Sequence, residues 1–320
     1  MSEPVTIKRG TEIELEIESL AYGGMGLARI ENFVIFVKHA IPGQKVLARI
    51  YKKRKGYAEA QVLETLVESP NAVDVCCKHY WICSKIQSLS YDEQIKEKSS
   101  QVEDAFVRLG GFLNFKLDKV QKANLIYHYR NKMEFTFSPN RWVLESEPEG
   151  VDKSFALGLH IPGRFDKILN IHNCHIQPEI GNKILAVARE VCLANPELRP
   201  YDPRSHIGFL RFLMLRFGVN TGDLMVNVVT SYHDIDKLSP LTDLLLEKFP
   251  EITSLVNNVN TRKADVAFGE YETLLYGKPF IQEKIGDLTF EISANSFFQT
   301  NTTQGEVLYK EVEEALELKG

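Results

Sequence analysis

The sequence predicts a multidomain protein, with an N-terminal all-β barrel of oligonucleotide-binding type followed by a larger α+β region. Two patterns carry this. Five short strand patterns fall within about the first seventy residues, the density of a small barrel. Beyond them, strands come in runs with few helices between, and no internal repeat or low-complexity tract interrupts them. The length of 320 residues allows two or three domains. A composition of 44% hydrophobic and 25% charged residues supports packed cores and excludes a disordered chain.

The barrel strands follow in order. Ile13, Leu15 and Ile17 alternate with Glu12, Glu14, Glu16 and Glu18, the pattern of a half-buried strand. Tyr22-Gly23-Gly24-Met25-Gly26 is a turn. Leu27 to Ile30 and Phe33 to Val37 make a hairpin around Glu31-Asn32, and Ile41-Pro42-Gly43 is a second turn. Val46 to Tyr51 and Ala58 to Glu64 are strands on either side of a basic tip. Glycines 23, 24 and 26 do not form a dinucleotide loop, because their spacing is wrong and a strand follows where a helix is required.

The net charge of −5 does not advertise nucleic-acid binding, but the tip does. Lys45, Arg49, Lys52, Lys53, Arg54 and Lys55 crowd there beside Tyr51 and Tyr57. Cations release counterions from phosphates, and aromatic rings stack on bases. The competing reading is a solvated hairpin end.

Pro70 to Val75 reads as a linker. Cys76, Cys77 and Cys83 then lie close enough in sequence to supply thiolates to zinc or an iron–sulfur cluster, with Cys174 the best candidate for a further ligand. Cys192, between Val191 and Leu193 on a helical pattern, reads as core. Ser90 to Leu109 is the strongest helix, with Ser90 and Glu93 at capping-box spacing and Gly110-Gly111 as its stop. A strand is expected over residues 125–137, where Arg130, Lys132 and Glu134 share one parity. That face suits a phosphate clamp or cross-strand pairing.

Further strands are expected at 142–145 and 154–160, and a helix from Glu179 to Leu193. Leu210 to Phe217 and Leu224 to Thr230 pair around Asn220-Thr221-Gly222-Asp223, with Arg211 and Arg216 on the first strand. Ser239-Pro240 is expected to start a helix. Ile252 to Asn260 is strand-like, and residues 268–286 are expected to hold a hairpin.

Leu288 to Ile292 is a last strand pattern, and Thr303 with Glu306 has capping-box spacing before an amphipathic helix. Phe297-Phe298-Gln299-Thr300-Asn301 lies between them. Its amide both donates and accepts, and its rings can pack a small molecule. The same residues suit a strand-to-helix loop with core aromatics. No apolar run approaches the ~20 residues needed to span a bilayer, and residues 1–10 lack a signal peptide's apolar stretch. A cytoplasmic protein without a membrane segment is therefore expected. Five cysteines in such a chain suggest metal or chemistry before disulfides.

Several of these segments together resemble the 5-methyluridine RNA methyltransferases that use S-adenosylmethionine (SAM). The resemblance is strongest to those that modify large-subunit (23S-type) ribosomal RNA and carry an N-terminal TRAM domain. The matching segments run in the family's order over essentially the whole chain. They are Tyr22 to Gly26, the cysteine cluster with Gln87, Tyr91 and Gln94, and Tyr129 to Phe135. Gly158-Leu159-His160, Cys174, Asn257 to Asn260, and Phe297 to Asn301 with Leu308-Tyr309 complete the set.

The resemblance implies a TRAM barrel over residues 1–68 and a central α+β domain over 69–287. Residues 288–320 would begin a Rossmann-like SAM methyltransferase domain, on which the helix at about 90–109 would pack. It implies that Gln299 contacts SAM, that Cys77, Cys83 and Cys174 hold a [4Fe–4S] cluster, and that RNA is bound through Lys52, Lys53, Arg54, Lys55, Arg130 and Lys132. It implies thiolate addition to C6 of a flipped-out uracil, which makes C5 nucleophilic toward the methyl group. A monomer in the cytoplasm, acting on ribosomal RNA, is the expected form.

The sequence departs from the family pattern twice. Ile86 stands where the third cluster cysteine is expected, which leaves Cys76 as the candidate substitute. The chain also reaches Gly320 before the family's glycine-rich loop and catalytic cysteine, so no catalytic residue is assigned. The expectation is a methyltransferase fragment that is inactive alone. The rival is a non-catalytic RNA-binding protein derived from the same family. A methylthiotransferase would need a radical-SAM cysteine triad that this sequence lacks.

Overall fold

The computed structural model describes residues 7–264 and 266–317. The chain divides into two compact units, Met1–Lys122 and Ala123–Gly320. The expected boundaries at 68 and 287 thus differ from the divide that packing makes. Residues 69–122 go with the barrel, and the segment from Leu288 goes with the central sheet.

In the first unit, β1 (Glu12–Glu16), β2 (Ser19–Ala21), β3 (Met25–Ile30), β4 (Phe33–Lys38), β5 (Lys45–Lys53) and β6 (Tyr57–Val67) form one sheet in the order β1-β5-β6-β4-β3-β2. The strands are six, not five, because the expected first strand breaks after Glu16 and Ser19–Ala21 pairs with β3 as a separate element. Leu15, Ala28, Ile35, Val37, Val46, Ala48, Ile50, Ala58 and Ala60 fill a common core. Small residues at facing positions let strands from across the sheet meet around it.

After α1 (Tyr80–Cys83), α2 (Tyr91–Asp104) continues as a π-helical turn over Ala105–Leu109. The Ser90 side chain makes no cap hydrogen bond, and Glu93 pairs instead with Lys96. The expected capping box is therefore absent. α2 buries none of its residues fully. It docks on β2 through polar groups: Glu97 accepts from the Leu20 N–H at 2.8 Å, and Gln101 donates to the Leu20 carbonyl at 3.1 Å.

The second unit is built on β7 (Lys132–Ser138), β8 (Arg141–Trp142), β9 (Ala156–Ile161), β10 (Arg164–Asn170), β11 (Leu210–Phe217), β12 (Leu224–Thr230), β13 (Ser254–Val259) and β14 (Tyr271–Gly277). Their order in the sheet is β14-β13-β12-β11-β7-β9-β10-β8. β11 and β12 pair antiparallel around the expected turn, where Gly222 takes φ +81°. All eight positions of β11 are buried, as befits a central strand covered on both faces. The strand expected from residue 125 begins only at Lys132. Residues 128 and 130 instead donate their N–H groups to the carbonyls of His175 and Ile176.

α3 (Glu179–Ala194) and α4 (Ile235–Lys248) lie against each other, and their apolar stripes are buried. α4 starts earlier than expected. Asp234 caps it by accepting from the Lys237 N–H at 3.0 Å, which leaves Pro240 inside the helix. The carbonyl that Pro240 cannot serve, that of Asp236, is taken by the Ser239 hydroxyl at 3.0 Å. β13 follows α4 and runs parallel to β12.

β15 (Phe280–Ile285) pairs with β16 (Leu288–Ser293) as a separate two-stranded sheet. The expected hairpin over 268–286 therefore does not form, since β14 pairs with β13 and β15 with β16. α5 (Thr302–Ala315) ends the described chain.

Candidate functional site

The segment from Ala294 to Asn301 is held by buried polar groups of the central sheet. Arg216, on β11, donates to the carbonyls of Ala294, at 3.0 Å, and Ser296. Burial lowers its guanidinium to about 10, which still leaves it charged at neutral pH. Asn295 donates to the Asn258 side chain at 3.1 Å. Asn258 in turn donates to Asn227 and Glu272 at 3.2 Å each. This ladder crosses β12, β13 and β14, so the Asn257 to Asn260 run serves the fold. Asn257 and Asn260 likewise spend their amides on backbone carbonyls.

On the other side, the Asn131 side chain donates to the Gln299 carbonyl and to the Thr302 hydroxyl, both at 2.8 Å, and its N–H donates to the Thr300 carbonyl at 2.9 Å. The Thr302 hydroxyl donates in turn to Glu283, also at 2.8 Å. Glu283 is fully buried and accepts from the N–H groups of Val219 and Asn220 at 2.7 and 2.9 Å. A buried carboxylate is tolerated where donors surround it.

The cap of α5 is Asn301, whose side chain accepts from the Gln304 N–H at 3.1 Å. The expected Thr303–Glu306 box is not formed, because Glu306 reaches the Gly286 N–H at 3.1 Å. The two phenylalanines divide their roles. Phe298 packs with Met225, Val256, Ile281 and Ile292, and Phe297 is 86% exposed. The stem of Gln299 rests on the first turn of α5 beside Gly305, where an added Cβ would lie 3.4 Å from it. Among the described residues, no hydrogen bond engages the Gln299 carboxamide. The segment is thus a fixed backbone that offers an exposed ring and an available amide.

Arg130 and Lys132 are less available than their sequence suggested. Arg130 donates to the Lys132 carbonyl at 2.9 Å. The Lys132 ammonium pairs with Glu134 at 2.5 Å and stands 5.9 Å from the Phe268 ring. Only Lys132 and Glu134 pair within the strand, and Arg130 lies before it.

At the barrel tip, the cations separate into two groups. Lys45 and Arg49 are paired with Glu14 and Glu12 of β1 at 2.7 and 2.6 Å. Lys52 pairs with Glu59, which also accepts from the Tyr51 hydroxyl at 2.8 Å. These two hydrogen bonds hold the Glu59 carboxyl below its ordinary value. Lys53, Arg54 and Lys55 are exposed, with no carboxylate partner among the described residues. Lys38 and Lys53 lie over Tyr51 and Phe33 at 4.6 and 5.3 Å from the ring centroids, so cations and rings alternate there.

The expected cluster thiols are divided between the two units. Cys76, Cys77 and Cys83 belong to the first unit and Cys174 to the second. Gln87 accepts from the Cys76 N–H at 3.0 Å and from its thiol at 3.4 Å. Burial, opposed by Gln87 and reinforced by Cys76 and Cys83, pushes the Cys77 thiol up to about 11. Among the described residues, no group of three or more His, Cys, Asp or Glu side chains is placed to hold a metal ion. No chemical step is therefore assigned to a cluster. Cys192 is buried in α3 and reads as core, its thiol pushed up to about 12 by burial.

Comparison with known proteins agrees with this architecture. The TRAM domain model matches residues 7–63. A protein of Porphyromonas gingivalis named an uncharacterized RNA methyltransferase is 38% identical over 316 residues, covering 96% of this chain and 68% of that protein. A Chlorobaculum tepidum protein named likewise is 41% identical over 319 residues, covering 97% and 66%. This chain belongs to the TRAM-domain RNA methyltransferases. It spans about two thirds of the length of these relatives.

The fold is similar to that of a solved structure as well. The crystal structure of the Pyrococcus abyssi tRNA (uracil-54, C5)-methyltransferase in complex with S-adenosyl-L-homocysteine aligns over 96% of this chain and 65% of its own, with a TM-score of 0.68 at 23% identity. Among the described residues, no helix of this family member is long and apolar enough to cross a membrane.

Sequence reasoning missed Glu283 and gave Arg216 no role. A signal for Glu283 was present. It shares strand parity with Ile281 and Ile285, and so puts a carboxylate at an inward position.

Proposed function

We propose that this chain is the RNA-holding and donor-approaching part of a SAM-dependent RNA uracil-C5 methyltransferase, with ribosomal RNA as substrate. The observation that carries the reading is the Gln299 segment. Its backbone is fixed from both sides by Asn131 and Arg216, while its carboxamide remains open to a ligand.

The residues present fit a SAM contact. An amide offers both a donor and an acceptor to an amino acid or an adenine. SAM, when bound, supplies an electrophilic methyl group. The chain's own part is to hold the carboxamide of Gln299 in place and to hold RNA through Lys53, Arg54 and Lys55. Rigid placement of such contacts is what converts binding into rate. The likeness of motif order and the name of the structural neighbour favour uracil C5 as the acceptor.

Methyl transfer from labelled SAM to unmodified large-subunit ribosomal RNA by the full-length protein tests this, with nuclease digestion to locate the label. Label in 5-methyluridine supports the reading. RNA binding that is intact without any labelled uridine would favour the alternative, a family member that only binds RNA.

A further inference from the structure

We infer that the second unit carries a further RNA-binding groove, which takes a single-stranded segment, at the end of the sheet remote from Gln299. The inference rests on the RNA reading above. A groove of about 570 Å³ opens where the chain leaves α3, enters β11 and leaves β12 and β13. β12, α4 and β13 form a parallel crossover, and the groove lies beyond the carboxyl ends of both strands. That is where open α/β sheets bind their ligands. β11 runs from this groove to the Asn131–Gln299 junction, a span of about 25 Å at strand rise. The two places are therefore separate.

The lining suits a polyanion with flat bases. Tyr232 is 42% exposed, and its ring lies 4.9 Å from that of buried Phe209. The Lys237 ammonium stands 5.4 Å from Phe209 and 5.7 Å from Tyr232, and donates to the Tyr232 hydroxyl at 3.1 Å. This fixes the tyrosine ring as a platform with a cation at its edge. Arg199 and Lys263 are exposed on the lining, against one acid among the described residues, Glu197, which Lys237 engages at 3.3 Å. Basic grooves with stacking rings are the general means of holding single strands.

The loop that forms one wall is built to keep its shape. His206 takes φ +60° without being glycine and accepts or donates at Nδ1 to the Tyr201 hydroxyl at 2.9 Å. Gly208 takes φ +123° where an added Cβ would lie 2.1 Å from the Pro200 carbonyl oxygen. Left-handed backbone at a non-glycine residue persists where surrounding structure fixes it, and such positions cluster at ligand clamps.

Fluorescence anisotropy with a labelled single-stranded oligoribonucleotide, and crosslinking with the same strand carrying 4-thiouridine, test the groove. Tyr232→Ala should weaken binding roughly tenfold, and Tyr232→Phe should restore it, since stacking needs the ring and not the hydroxyl. Arg199→Ala with Lys263→Ala should reduce the slope of log affinity against log salt by about 1.4, the share of two single-strand phosphates. Crosslinks should map to Tyr232 or its neighbours.

Both of these substitution sets lie on exposed residues, so a folding failure in one leaves the other to decide. Wild-type affinity and slope in all variants, with crosslinks confined to the barrel tip, would overturn the groove and leave the RNA reading intact. No RNA binding by the unaltered protein would overturn both.

Discussion

The Asn131 side chain donates to the Gln299 carbonyl at 2.8 Å, across 168 residues of sequence. Two segments that each looked distinctive alone are one structural unit. Asn131→Ala should lower stability by about 2–3 kcal/mol, because it leaves the Gln299 carbonyl and the Thr302 hydroxyl without their donor. Thermal or urea unfolding measures this. An unchanged midpoint would show that the clamp holds nothing.

Glu283→Ala should cost more, on the order of 3 kcal/mol, since the Val219 and Asn220 N–H groups and the buried Thr302 hydroxyl lose their acceptor. Glu283→Gln keeps one acceptor oxygen and should cost less. Equal losses in the two variants, compared by urea unfolding, would argue that the cavity matters and the acceptor does not.

Gly158 belongs to a motif that the family resemblance brought forward, and its reason is steric. A Cβ there would lie 1.9 Å from the Leu169 carbonyl oxygen on the neighbouring strand. Gly158→Ala should destabilise the second unit by more than about 2 kcal/mol through overpacking. Circular dichroism melting of this variant should show the loss, and a wild-type melt would remove the steric explanation.

The barrel tip makes an electrostatic prediction. Lys53→Ala, Arg54→Ala and Lys55→Ala together should lower the salt slope of RNA binding by about 2, at ~0.7 for each single-strand phosphate no longer neutralised. Lys45→Ala with Arg49→Ala should change it far less, because Glu14 and Glu12 already neutralise these cations. Anisotropy titrations between low and moderate salt separate the two sets.

Cys77 should alkylate slowly at pH 8, behind exposed Cys76 and Cys83, and should accelerate only toward pH 11. The folded pKa is raised above the unfolded one, so its contribution to stability is complete below about pH 9. It is lost as pH rises through about 11, because only the unfolded thiol ionises readily in that window. Mass spectrometry of iodoacetamide-treated protein across pH tests the reactivity. Equal rates for the three thiols at pH 8 would contradict the burial of Cys77.

The sequence by itself determined what short-range spacing encodes. The Glu and Ile alternation of β1, the β11–β12 turn at Asn220 to Asp223 and the terminal Phe297 to Asn301 segment were all legible. So was the basic tip, though not which of its cations survive pairing. Helix starts were legible only in part. Asp234 and Asn301 took the caps that Ser239 and Thr303 were expected to provide, since a cap depends on where the preceding strand delivers the chain.

Only the tertiary structure decided the rest. Strand order placed Asn131 beside Gln299, Glu283 beneath Val219 and Thr302, and Arg216 against Ala294. It also gathered Arg199, Phe209, Tyr232 and Lys263 into one groove. Apart from the inward parity of Glu283, none of these pairings leaves a periodic trace in the chain. Each is a hydrogen bond or packing contact whose partners are chosen by sheet register, and register is fixed by the burial of the whole sheet.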